Sequence, residues 1–357
     1  MNKFVQQKKN LNNNFVQHKK KMKTQWKFAI AFAVAGLLVI ATLLRQQTLS
    51  DATVTKLKDI PRSGQAVVSD FYVSQLKEKE KAAYDLMKEK LEKKEGGVVE
   101  FPKALNGKEY TRVVNALEFE GGNNFYGLYE IPMTEDDVYV KYIEDDIVKL
   151  QDPVITKAIL FLSSAEKIDE QGKYSDDGTV TNLEEVAKGL SVNSEDKLAE
   201  IDEIQKKTEQ ILDEVIKGLP EDYGEKKTVD YFLEWMDKNL EFFETDEDAA
   251  DMSEMFERFY RPNHLAAVVD KKANATGYAK ILAELCNRAG MESHIVIGQW
   301  KGSWLSGESY VLCAVSMNDQ TIYVDASGAK AGVLADHKYL TEKEAKNHMD
   351  FVEYFEY

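Results

Sequence analysis

The chain has 357 residues, with 46 Lys or Arg against 62 Asp or Glu, and a formal charge of −16. Six prolines and 43% hydrophobic residues exclude a disordered or collagen-like chain. The charge is unevenly spread: residues 1–50 hold eight lysines and one arginine and no carboxylate, so every acidic side chain lies beyond them. An acidic body of this kind excludes nucleic acid as a partner, because phosphates need a basic face.

In chain order, residues 1–26 read as a basic cytoplasmic tail rich in Asn, Gln and Lys. Phe28 to Leu44 is uncharged and bounded by Lys27 and Arg45. At 1.5 Å per residue it would reach ~25 Å, the short end of a spanning helix. Lysines crowd its N-terminal side, so the positive-inside rule predicts a single-pass protein of the cell membrane. Residues 27–45 would contact lipid, with the N-terminus cytoplasmic and the C-terminal body extracellular. A cleaved leader is the competing reading, although the exit LLRQQTLSDA lacks an A-x-A site. Residues 46–65 read as a juxtamembrane linker broken by Pro61 and Gly64.

The body opens with an α+β upstream module over 66–168. Val73, Leu76, Ala83, Met87 and Leu91 recur near helical spacing, predicting a helix over Ala66–Lys94 that ends at Gly96-Gly97. A short strand over Val98–Phe101 and a helix over Lys108–Glu118 follow. Thr134 with Asp137 resembles a capping box for a helix to about Leu150, with a strand as the alternative because Val138–Tyr142 alternates. Ile155–Leu162 (ITKAILFL) reads as a buried strand. Residues 169–193 are polar and read as a linker. Two apolar stripes then predict helices: one through Leu198, Ile201, Ile204, Ile211 and Val215, closed by Leu219-Pro220, and one through Val229, Phe232, Leu233, Met236 and Leu240. Strands over His294–Gly298, Ser309–Val315 and Thr321–Asp325 complete an α+β pattern.

Common catalytic sets are missing from the sequence. There is no Gly-rich phosphate loop, nucleophile elbow or zinc-type spacing, so no metal and no cofactor are implied. Residues 263–327 carry more information. Gly277-Tyr278-Ala279 opens a predicted helix, and Leu282, Leu285, Ala289-Gly290-Met291 and Ile297-Gly298 follow in register to Tyr323-Val324-Asp325. This stretch resembles the core of the bacterial transglutaminase-like family, which has a papain-like fold and a Cys-His-Asp triad. The resemblance covers about 65 residues closely, 194–327 more loosely, and the upstream module faintly. It implies a papain-like transglutaminase-type domain over 194–357, with helices packed on an antiparallel sheet.

Carried over by position, the triad falls on Ala275, Tyr310 and Asp325. A methyl group cannot attack a carbonyl, and a tyrosine, with a reference pKa near ~10, is a poor base at neutral pH. Without an imidazole to orient, Asp325 is free to accept a hydrogen bond from Tyr310. The expected protein therefore lacks the catalytic Cys and His. It is expected to bind a peptide, protein or cell-wall component, or to act as an envelope scaffold. The alternative is an active thiol hydrolase or acyltransferase with a relocated nucleophile. A third reading is a structural protein in which Tyr310 and its neighbours fill the cleft. Thr276, Trp300, Trp304 and His337 are the candidate groove residues. Cys286 and Cys313 are expected to be free buried thiols on faces that do not meet.

Overall fold

A computed structural model describes residues 57–123, 128–134, 154–162, 195–243, 261–301, 309–328, 339–352 and 354–357. Residues 55–357 form one compact unit. Among the described residues no helix is long and apolar enough to cross a membrane. That finding corrects the expectation of a single-pass protein with an extracellular body. The stretch 28–44 that prompted it lies outside the described residues, as do the segments 135–150 and 169–193.

The first elements are α1 (Glu78–Glu92), β1 (Gly97–Leu105), α2 (Gly107–Phe119), β2 (Leu128–Thr134) and β3 (Ile155–Leu162). The strands form an antiparallel sheet in the order β1-β3-β2, so Ile155–Leu162 is its central strand. That position explains its largely apolar sequence, since Ile155, Ala158, Ile159 and Leu160 are all buried. The strand β1 runs on through Pro102, where its pairing with β3 shifts register between Glu100 and Leu105. A proline is tolerated at such an irregularity because no ladder donor is needed there.

The predicted helix over Ala66–Lys94 begins twelve residues late. Its first part is an irregular strap followed by a 3₁₀ turn at Val73–Gln75. Tertiary partners take the backbone donors there: Val67 N–H binds the Asn287 carbonyl at 2.9 Å, and Val73 N–H binds the Glu120 carboxylate at 2.6 Å. The helix α2 matches its prediction to within a residue at each end. Asn106 caps it by accepting from Glu109 N–H at 2.9 Å, while the Glu109 carboxylate accepts from Asn106 N–H.

Next come α3 (Glu195–Lys217) and α4 (Glu225–Asn239), which carry the two apolar stripes. The two-residue strands β4 (Glu241–Phe242) and β5 (Lys272–Ala273) pair in parallel, with the short α5 (Ala267–Asp270) between them in sequence. The helix α6 (Ala275–Arg288) packs on the main sheet. That sheet comprises β6 (Ser293–Trp300), β7 (Ser309–Met317), β8 (Gln320–Val324), β9 (Tyr339–Thr341) and β10 (Met349–Phe351). Its order is β10-β6-β7-β8-β9, antiparallel throughout, with α7 (Glu342–His348) between the last two strands in sequence. The β7–β8 hairpin turns on Asn318 and Asp319, both with positive φ (53° and 59°). These are the residue types that tolerate the turn matching strand twist.

Candidate functional site

The helix α6 begins at the sequence position where the resemblance expects a nucleophile. Asn274 caps it: its Oδ1 accepts from Gly277 N–H at 3.1 Å, and its Nδ2 donates to Asn263 Oδ1 at 2.5 Å. Gly277 has a steric reason to be glycine, because a Cβ there would collide with the Pro262 carbonyl oxygen. The buried Tyr278 donates to the Leu240 carbonyl at 3.0 Å, tying α6 to the end of α4. The Gly-Tyr-Ala signature therefore has a packing role of its own. Ala275 and Thr276 sit half-buried in the first turn of α6. The helix dipole would favour an anion at that end, but neither side chain is a thiol.

Tyr310 and Asp325 are brought together. Tyr310 Oη donates to Asp325 Oδ2 at 2.7 Å, and both residues are buried. Asp325 Oδ1 accepts three further bonds, from Ser327 Oγ at 2.8 Å and from the Ser327 and Gly328 N–H groups at 3.1 Å each. Burial nevertheless raises the Asp325 pKa, outweighing the donors around it. Burial also pushes the Tyr310 hydroxyl well above its ordinary range, and the Asp325 charge adds to the effect. Tyr310 shares an apolar cluster with Val296, Leu312, Ala314, Tyr323 and Met349. Its side chain is thus part of a packed interior.

Of the groove candidates, Trp300 ends β6 and pairs with Met349 of β10. Trp304 and His337 lie outside the described residues. Cys286 and Cys313 are buried and free, as expected. Burial raises both thiols, and Cys286 raises Cys313 further. The helix α6 lies against β7, and along that strand Cys313 alternates away from Tyr310. His294 is half-buried on β6, stacks on Phe71 at 3.7 Å, and has its pKa lowered to about 4 by burial. His264 is buried and also lowered, by desolvation first and by the Lys280 ammonium second.

Sequence reasoning missed three polar features. The first is Ser327 as a partner of Asp325. An Asp followed two residues later by Ser, then Gly, is a turn signature that could have revealed it. The second is Lys280, buried in α6 and paired with Glu118 at 2.9 Å. A lysine amid Tyr278, Ala279, Ile281 and Leu282 was the signal. The third is Glu120, 6% exposed, whose Oε1 has no hydrogen-bond partner. Nothing in its local sequence distinguishes it from a solvated glutamate. Among the described residues no group of three or more His, Cys, Asp or Glu could hold a metal ion.

No family model matches the chain, and no curated protein matches it. Among solved structures, one described as a TGase is 18% identical at a TM-score of 0.28, covering 70% of this chain and 55% of its own. A protein from Cytophaga hutchinsonii, described as a candidate cysteine protease, is 6% identical at a TM-score of 0.26, covering 56% of this chain and 64% of its own. The chain therefore spans less than two thirds of the length of either structure.

Proposed function

We propose that the chain is a transglutaminase-like domain of the papain-like class that has lost acyl transfer and works by binding or scaffolding, with a peptide, a protein or a cell-wall component as its ligand. The observation that carries this reading is the buried 2.7 Å bond from Tyr310 to Asp325. A carboxylate that would steady an imidazole instead receives a phenol and three further donors. The side chain aligned with the histidine serves as interior packing.

The relocated-nucleophile alternative has little to support it. A reactive cysteine needs a lowered pKa and access to solvent, whereas both thiols here are buried and raised. The test is an assay of fluorogenic-peptide hydrolysis and amine incorporation with the purified chain, alongside iodoacetamide labelling. Neither activity is expected, and both thiols should label only on unfolding. Turnover abolished by Cys286→Ala, or rapid labelling of one native thiol, would overturn the proposal.

A further inference from the structure

The joint between α2, α6 and β6 buries a carboxylate in poor electrostatic surroundings. Glu120, at the C-terminal end of α2, accepts from Val73 N–H through Oε2 at 2.6 Å, while its buried Oε1 has no hydrogen-bond partner. It borders a space of about 30 Å³ together with Glu118, His264, Lys280, Glu284 and His294. That volume admits a water or two, less than the shell an ionised carboxylate draws around itself. The cation there is already engaged: Lys280 pairs with Glu118 at 2.9 Å. Glu284 pairs with Arg288 at 2.7 Å. Burial lowers both histidines, His294 to about 4, so neither brings a positive charge near neutral pH. Asp70 and Tyr72 face Glu120 from the strap, and the Asp70 carboxylate opposes a second negative charge.

Residues 66–70 lie against the residue that follows Glu120. Ser69 packs on Gly121, where a Cβ would stand 3.1 Å from the Ser69 nitrogen. Val67 N–H donates to the Asn287 carbonyl at 2.9 Å, and Ser69 Oγ accepts from Phe71 N–H at 3.3 Å. Little apolar surface holds this stretch down. Val68 is 79% exposed, and the one fully buried side chain between 66 and 70 is the small, polar Ser69. The next two residues are fixed. Phe71 stacks on His294 at 3.7 Å, and the fully buried Tyr72 donates to the Ile295 carbonyl. Segments with few buried apolar contacts open at low free energy while their neighbours stay folded, so a local opening would end at Asp70.

We propose that residues 66–70 are a proton-controlled latch, closed on Gly121 while Glu120 is protonated and lifted away when Glu120 ionises. A buried charge without a partner is costly. Lifting the latch admits water to the carboxylate and carries Asp70 away from it, at the cost of the Val67 and Ser69 contacts. Burial raises Glu120 to about 7 in the closed state, against 4.5 for an exposed glutamate. The closed state is therefore favoured in full below about pH 4.5 and loses its advantage as pH rises through about 7. Above that value both states are ionised and the opening equilibrium levels off. The latch is independent of whether the Ala275 region performs chemistry or binds a ligand.

The experiment is hydrogen exchange of the full-length chain followed by mass spectrometry between about pH 5 and 9, each rate corrected for the intrinsic exchange of an unprotected amide. Protection of the peptide spanning residues 66–72 should fall about tenfold or more from pH 5.5 to 8 and then level off. Peptides from β6 and β7 should keep their protection over the same range, which separates a latch from global unfolding. Glu120→Gln cannot ionise and should hold the latch's protection constant. Asp70→Asn removes one repulsion and should show a smaller fall than the parent, and it decides the matter if Glu120→Gln melts early. A fall confined to the latch, absent in Glu120→Gln or reduced in Asp70→Asn, supports the proposal. Three outcomes would overturn it: protection of 66–72 that does not change with pH, an equal fall in a folded Glu120→Gln variant, or a fall shared equally by β6 and β7.

Discussion

Two side chains carry the polar energetics at the residue scale. Asp325 is buried and its charge is held by four donors, of which Tyr310 supplies one. Tyr310→Phe keeps the ring's packing and removes that donor, leaving a buried carboxylate short of a partner. Such a loss costs about 1–3 kcal/mol, and urea denaturation at neutral pH should show a destabilisation of that order. A neutral result would mean that the phenol is only filler. Glu120 presents the opposite case. Burial raises its pKa from 4.5 to about 7, with the Asp70 carboxylate adding to the effect, and its Oε1 is unpartnered. The native state then holds a proton that the unfolded chain releases at lower pH. This contribution to stability is therefore full below about pH 4.5 and lost as pH rises through about 7. The loss is about 3 kcal/mol at most. Denaturation midpoints of the parent chain and Glu120→Gln, compared at pH 5 and pH 8, should show a smaller fall in the variant. Equal pH dependence in the two proteins would remove Glu120 as its source.

At the scale of elements, the strap over residues 57–67 shows how the core is closed. The Asp59 carboxylate accepts from Gly224 N–H at 3.3 Å and Lys227 N–H at 2.9 Å, capping α4, and its pKa is lowered overall although burial opposes this. Arg62 donates to the carbonyls of Tyr223, Ala289 and Pro220 at 3.2, 3.4 and 3.4 Å. Its planar fork therefore joins the α3–α4 connection to the end of α6. Arg62→Lys cannot satisfy three separated acceptors. It should lower the melting temperature with a loss of about 1–2 kcal/mol, against a negligible change for the exposed Lys58→Ala. The start of α6 is held as firmly. Gly277→Ala would drive a methyl into the Pro262 carbonyl and should destabilise by roughly 1–3 kcal/mol or more. An unaltered melting curve would mean that the Pro262 turn yields without cost.

For the whole molecule, one apolar cluster links separate parts of the sequence. Leu91 of α1, Val99 of β1, Ile155 of β3, Ile201 of α3 and Phe355 near the C-terminus all belong to it. Arg112 of α2 reinforces this meeting point, donating to the Gln75 and Tyr354 carbonyls and lying over the Phe355 ring at 4.7 Å. Residues 55–357 should therefore unfold in one transition, with far-ultraviolet dichroism and tryptophan fluorescence giving coincident curves. Two separated transitions would divide the three-stranded sheet from the five-stranded one. The sequence by itself determined the elements with strong local patterns. The stripes of α3 and α4, the apolar run of β3 from Ala158, the capped helix α2 and the strands β6 to β8 follow from periodicity and capping, which act over a few residues. The pairing of Tyr310 with Asp325 came from the family resemblance, carried over residue by residue. Only the tertiary structure decided that residues 66–72 are a strap, that α6 lies against β7, and that Glu120 and Lys280 are buried. Each of these depends on partners distant in sequence that occupy backbone donors, exclude water or bring faces together, and no local pattern encodes such partners.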